Sequence, residues 1–238
     1  MQKLAQILID QSHRQAWTLD SELASKINPA NPADASYAKM AEAASSAGFG
    51  VSGFSTGPIT KDALAGFDVF VLPHASTDDW EKTIGVGSPI LSKDEISVLK
   101  DFVSQGGGLV VLGETEQPKY GNNFSELTEV FGVKIANETV QDSIENLKDV
   151  ATWIKADLQK SFEHDLSFKV RETAFYRSGV LEILDEIKVE VIAQSSPSAY
   201  PAEAPLVAAI KHGMGRVVVL ADSDVFGDDS IDELDNKN

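Results

Sequence analysis

Four short apolar runs limit what this chain can become, and each runs straight into polar or acidic residues. They are LAQILID ending at Asp10, DVFVLPH ending at His74, LVVLGE ending at Glu114 and RVVVLADSD, which carries Asp222 and Asp224. Runs so short and so uniformly apolar suit strands buried on both faces of a parallel sheet, where covering helices leave no polar side. The segments between them supply those helices. Ser36 to Ala47 places Tyr37, Met40, Ala41 and Ala44 on one face, with Gly48 as the stop. Phe49 to Phe54 and Asp68 to Pro73 read as the second and third strands. Ser92 and Glu95 form a capping box for a helix with Ile96, Leu99, Phe102 and Val103 on its apolar stripe. Gly106-Gly107-Gly108 stops that helix and releases Leu109 to Leu112. The alternation is βαβ, which implies an α/β architecture.

The second half of the chain changes style. Asn122 or Asn123 opens a short helix carrying Phe124, Leu127, Val130 and Phe131, and Gly132 ends it. Residues 137–170 are poorly defined by pattern, with a helix read over Val150 to Leu158. Strands follow at Ala174 to Arg177, Val180 to Leu184 and Val189 to Ala193. The clearest hairpin pairs Pro205 to Lys211 with Arg216 to Ala221 through the Gly213-Met214-Gly215 turn. Neither a repeat nor a low-complexity linker divides these pieces, so they read as one domain.

Charge removes several function classes. The 238 residues carry 20 Lys and Arg against 37 Asp and Glu, a formal net charge of −17. Such a balance repels nucleic acid and anionic lipid. The chain contains no Cys, which removes disulfides, thiolate metal sites and a thiol nucleophile, and fits a reducing compartment. No stretch has the length of a spanning helix and the start lacks a signal-peptide layout, so a cytoplasmic location without membrane insertion is expected. From Asp222 to Asn238 lie seven acids and one base, −6 of the −17. This segment reads as a solvated acidic tail. It stands where an α/β unit adds a covering helix, so an N-terminal fragment of a longer protein is also expected.

Ligands of open parallel sheets gather beyond the carboxyl ends of the strands. Those ends deliver Asp10 and His13, His74 with Asp78 and Asp79, Glu114 with Thr115 and Glu116, and finally Asp222 and Asp224. If the strands are neighbours, carboxylates and imidazoles converge on one rim. Asp10, His13, His74, Glu114 and Asp222 could then hold a divalent metal that activates water. A carboxylate pair could instead perform acid–base chemistry, or the rim could bind a polar ligand without chemistry. The plainest reading is that each acid caps a turn or a helix start. Spacing decides nothing, since neither HExxH nor a tight HxH pair occurs. Trp17 and Trp80 lie in rim-side loops, where packing is expected over ligand stacking. His164 and His212 are isolated, and His212 is expected to be solvated.

The order of pieces resembles a known superfamily. A flavodoxin-like start, the strand DVFVLPH, a capped helix running into GGGLVVLGE and the ending APLVAAIKHGMGRVVVLADSDVFGDD are similar to class I glutamine-amidotransferase-like proteins. The resemblance points to the branch found in gliding-motility and intraflagellar-transport proteins (GIFT, DUF4350-like). It spans residues 4–235 as a single domain and is most specific from Gly213 to Ser230. It implies a flavodoxin-like open, mostly parallel sheet with helices on both faces and a β-rich C-terminal extension ending in a hairpin. Catalytic relatives place a Cys nucleophile on the turn after the strand matching Leu109–Leu112. Here that turn reads Gly113-Glu114-Thr115, so the usual thiolate route is absent. Glu114 and Thr115 are the remaining catalytic candidates, and no base for Thr115 is evident.

The expected function is therefore a non-catalytic binding or assembly module. Its rim, with Asp10, His13, His74, Glu114, Asp222 and Asp224 as ligand-binding candidates, would hold a peptide, a glycan or a neighbouring domain of its own chain or of a complex. No cofactor is expected. The alternative is a metal-dependent hydrolase using the carboxylate and His rim, and a purely structural domain is the third reading.

Overall fold

The computed structural model describes residues 4–158 and 170–237. Twelve strands lie among them: β1 (Gln6–Asp10), β2 (Gly50–Phe54), β3 (Val69–Leu72), β4 (Gly108–Leu112), β5 (Val133–Ile135), β6 (Asn146–Leu147), β7 (Val150–Leu158), β8 (Thr173–Tyr176), β9 (Leu181–Ile183), β10 (Val189–Gln194), β11 (Pro205–His212) and β12 (Gly215–Leu220). The α-helices are α1 (Ser21–Ile27), α2 (Ala38–Ser46), α3 (Lys61–Leu64), α4 (Lys93–Ser104) and α5 (Phe124–Glu129).

The four apolar runs are adjacent parallel strands, as their composition requires. The sheet runs β2-β1-β3-β4-β12-β11-β10-β7-β6, with β8 also on β7. Its first five strands are parallel and the remainder antiparallel. β5 and β9 form a separate antiparallel pair. Alternation along the central strands splits their side chains between two faces. Phe70, Leu72, Leu109, Val111, Val217 and Val219 enter one core with Leu99 and Val103 of α4 and Phe124 and Leu127 of α5. Ile9, Val71, Leu112 and Leu220 enter another, covered by Trp17, Tyr37 and Met40 of α2. The α/β class with a mostly parallel sheet and a β-rich C-terminal part is thus the architecture of this chain.

Local chemistry explains the boundaries. The Ser92 side chain accepts from the Glu95 N–H while Glu95 Oε2 accepts from the Ser92 N–H at 2.8 Å, so the capping box forms as the spacing predicts. After α4, Gly106 adopts φ +112°, a backbone conformation that strains any side chain. α1 and α3 are short helices capped by Asp20 and Thr60 that periodicity does not reveal, being only one or two turns long.

Two expectations need correcting. Val150–Leu158 is strand β7, not a helix. Its Val, Thr, Trp and Ile favour a pleated surface, Ile154 and Ala156 alternate into a core with Phe175, and the strand pairs with both β8 and β10. His164 lies outside the described residues. The acidic tail is also not a solvated run. Asp228 Oδ1 accepts from the Lys39 N–H, Asp235 Oδ2 accepts from the Arg171 N–H, and Lys148 Nζ bonds Glu233. The buried Asn236 accepts from the Ala174 N–H and donates to the Ala174 carbonyl, so polar groups of the tail tie the last described residues to the domain.

Candidate functional site at the strand carboxyl ends

The rim residues separate into two networks, because β1 and β4 flank β3 and so sit two strand spacings, roughly 10 Å, apart. At the end of β1, Asp10 Oδ1 accepts from the N–H and hydroxyl of Ser12, and Oδ2 accepts from Gln15 Nε2. His13 Nδ1 lies 2.7 Å from Asp10 Oδ2 and its Nε2 lies 2.9 Å from Glu95 Oε1. Burial pulls the His13 pKa down, but the hydrogen bond to Asp10 and the charges of Asp10 and Glu95 outweigh it and hold it above the usual imidazole value. Both His13 nitrogens are thus held against carboxylates, an arrangement that favours its protonated form. Glu95 is the residue missed here. Its capping box is legible in sequence, but its second oxygen serving His13 and the Ile59 N–H depends on long-range packing.

The second network joins the ends of β4 and β12. The Ser223 hydroxyl donates to Glu114 Oε2 at 2.8 Å and accepts from Trp17 Nε1 at 3.1 Å. The Thr115 N–H donates to Glu114 Oε1, and the Tyr37 hydroxyl donates to the Ser223 carbonyl at 2.7 Å. Trp17 stacks on Tyr37 with ring centroids 4.8 Å apart, which fixes the wall of the site. Asp222 accepts from the backbone N–H groups of Tyr176 and Asp224. Gly179 lies so close to the Glu114 carbonyl that a Cβ there would fall 2.8 Å from it.

These groups border a cavity of about 460 Å³. Its lining includes Trp17, Ile27 and Pro29 together with the acids Asp34, Glu81, Glu114 and Asp224 and the cations Lys82 and Arg177. Removing so many carboxyls from water pushes their protons on. Burial, then the charges of Asp222 and Glu81, raise Glu114 well above the usual carboxylate range. Burial, then Glu114 and Asp222, do the same to Asp224, against the pull of Arg177. Burial carries Asp222 to about 7 in spite of its backbone hydrogen bonds, and Asp34 to about 6. Glu81 goes the other way: burial would raise it, but its hydrogen bond to His74 and the charge of His74 lower it.

His74 is buried, with Nε2 3.1 Å from Glu81 and its ring edge-on to Tyr120. Its Nδ1 has no hydrogen-bond partner among the described residues. Of the residues singled out from sequence, Glu114, Asp222 and Asp224 come together, His74 joins them through Glu81, and Asp10 and His13 stand apart. Asp34, in the short 3-10 helix Pro32–Ala35, Glu81, in a loop, and Arg177, just after β8, carry no sequence signal, while Ser223 lies within the Gly213–Ser230 stretch, between Asp222 and Asp224. Trp17 is a packing residue that also walls the cavity. Trp80 is 59% exposed beneath Lys119 Nζ. His212 is half-buried rather than solvated, edge-on to Phe131.

The two hydroxyls beside Glu114 are already engaged. Thr115 Oγ1 is paired with Thr139 Oγ1, and the buried Ser223 hydroxyl is committed to Trp17 and Glu114. In the turn after β4 the left-handed residue is Glu116, at φ 46°, not Glu114. Among the described residues no three His, Asp or Glu side chains are placed to hold a metal ion together. No described helix is long and apolar enough to cross a membrane.

No protein-family model matches the chain, and no curated protein matches it in sequence. Solved structures do share its fold. An IFT52 N-terminal domain superposes with a TM-score of 0.72 at 16% identity, covering 98% of this chain and 92% of that one. The cytoplasmic protein STM1381 from Salmonella typhimurium LT2 gives 0.57 at 16% identity, covering 93% and 89%. A β-galactosidase from Rahnella sp. R3 gives 0.56 at 14% identity, covering 92% of this chain and 29% of the enzyme. At these identities the likeness carries the fold alone.

Proposed function

We propose that the protein is a non-catalytic, amidotransferase-like binding module whose cavity beyond β4 and β12 receives a basic side chain of a peptide or partner domain. The observation that carries this reading is the lining of the cavity. Trp17, Ile27 and Pro29 offer apolar surface for a methylene stem, while the four acids Asp34, Glu81, Glu114 and Asp224 outnumber the two cations Lys82 and Arg177. A cation entering there relieves carboxylates that burial otherwise drives to hold protons. The absence of a base beside Thr115 and the engagement of Ser223 argue against acyl transfer. The same architecture makes up an N-terminal domain in IFT52 and under a third of a β-galactosidase chain, which favours a module that works beside other domains.

The test is a peptide array in which one position varies through Lys, Arg, Gln and Glu, followed by titration calorimetry of the best binders. Lys or Arg peptides should bind, and Asp224→Asn with Asp34→Asn should weaken them at least tenfold while the thermal midpoint stays within a few degrees. Hydrolytic turnover that vanishes in a folded Glu114→Ala variant would overturn the non-catalytic reading.

A further inference from the structure

The sheet is not covered equally on its two faces. On the face carrying Val71, Leu112 and Leu220, the carboxyl-end half is sealed by Trp17, Tyr37 and Phe226, but the amino-end half is open. Pairing register sets its side chains in two lateral rows. One runs Val71, Val110, Val218 and Ala209, and the next runs Val69, Gly108, Arg216 and Lys211. Val69, Val110 and Val218 are only half-buried although they stand in central strands. Gly108 adds no side chain, and with Ile187, which is 97% exposed, the rows border a groove of about 440 Å³.

A parallel sheet of this kind is ordinarily covered by helices on both faces. Among the described residues no helix covers this half. Its charge says what would. Lys211 and Arg216 are register partners across the β11-β12 hairpin, so their side chains emerge side by side on the same face. Like charges directly opposite one another destabilise a strand pair. Both are exposed, and neither forms an ion pair with a carboxylate among the described residues. Lys188, at the far wall of the groove, is held by Asp185 at 2.6 Å, and Glu190 lines that wall beside it. In a chain of net charge −17, two adjacent cations with no ion pair among the described residues, beside an apolar groove, form a complementary edge for an anionic partner.

We infer that this groove is a docking surface for an amphipathic helix of a partner protein, with its apolar stripe on Val69, Val110 and Val218 and acidic residues on the flank facing Lys211 and Arg216. The surface is separate from the cavity at the opposite ends of the strands, so either site can fail without the other.

The experiment displays a library of 18-residue amphipathic peptides whose stripe is Leu or Ile and whose flank positions vary among Glu, Lys and Gln, selected against the whole chain. Glu-flanked sequences should be enriched, and their binding, read by fluorescence anisotropy, should fall at least tenfold with Lys211→Glu/Arg216→Glu and with Val218→Asp. Lys211→Gln/Arg216→Gln should give an intermediate loss in a protein of unchanged circular dichroism, which separates recognition from folding. Enrichment of Lys-flanked or charge-independent peptides, or of none, would overturn the inference. So would sedimentation showing a dimer that Val218→Asp dissolves, since a second copy would then occupy the groove.

Discussion

Ser223 and Glu114 meet at 2.8 Å across the ends of β12 and β4, and the indole of Trp17 closes the same hydroxyl from the other side. Burial, together with the neighbouring acids, raises the Glu114 pKa well above the usual carboxylate range, so its carboxyl holds its proton to higher pH than an exposed one. Glu114→Gln keeps the shape and the acceptor for the Thr115 N–H, and its amide can donate to the Ser223 hydroxyl where Oε2 accepts from it. Its stability at pH 7 should stay close to that of the parent. Glu114→Ala should cost about 1 to 3 kcal/mol for the stranded partners. Urea melts of the two variants check this, and equal losses would count against a raised Glu114 pKa.

Asp222 and Asp34 set a pH dependence of stability. Their folded pKa values of about 7 and about 6 lie above the unfolded 3.8, so between those limits the folded state holds more protons than the unfolded one. Stability from these groups is full below the unfolded value and is lost as pH rises through the folded values. Asp142, lowered to about 2 against burial by its hydrogen bonds from Ser196 and from backbone N–H groups, acts oppositely and is lost only as pH falls toward 2. The thermal midpoint should therefore decline from mildly acidic pH toward neutrality, and Asp222→Asn should flatten that decline. A midpoint rising steadily from pH 5 to 7 in the parent would contradict it.

His13 adds a test of the same sign. It is clamped between Asp10 and Glu95, and its folded pKa is raised, so its contribution is present below the ordinary imidazole value and disappears as pH rises through the folded one. Removing it strands two buried carboxylates. His13→Ala should lose about 3 to 5 kcal/mol, as breaking a buried pair does, and the imidazole proton in the parent should titrate above 6.5 by NMR. A titration below 6.5 would show that desolvation outweighs the two acids.

Binding of a lysine peptide to the cavity should tighten as pH rises through about 6, because the bound cation favours the ionised form of Asp34. Calorimetry in buffers of different ionisation enthalpy should record protons released on binding. Affinity independent of pH from 5 to 8 would remove Asp34 from the site.

Asn236 tests the tail. Its side chain accepts from the Ala174 N–H and donates to the carbonyls of Ala174, Val225 and Ser230. Asn236→Ala should cost about 1 to 3 kcal/mol, read by denaturant unfolding, where a solvated tail would register no change.

The parallel core, the capped α4 and the β11-β12 hairpin were legible because each is written in local chemistry: unbroken β-branched runs, a Ser-to-Glu spacing of three, glycines at the turns. The helix read over Val150–Leu158 failed because that segment's pattern is weak, and its strand state is decided by β8 and β10, which pair with it from distant parts of the chain. The strand-end acids were likewise readable as a set, but which of them meet was not.

Residue order alone determined that this chain forms an α/β sheet, that it lacks a thiol, and that acids cluster at the carboxyl ends of its strands. Tertiary structure decided that Asp10 and His13 are sealed against Glu95, that Asp222 is buried, and that Glu114 and Asp224 share a cavity with Asp34, Glu81, Lys82 and Arg177. It also decided that Lys211 and Arg216 stand together beside an open apolar groove. The physical reason is that strand propensity and capping act over a few residues, whereas strand order, register and burial set the distances between charges, and those distances govern which carboxyls keep their protons.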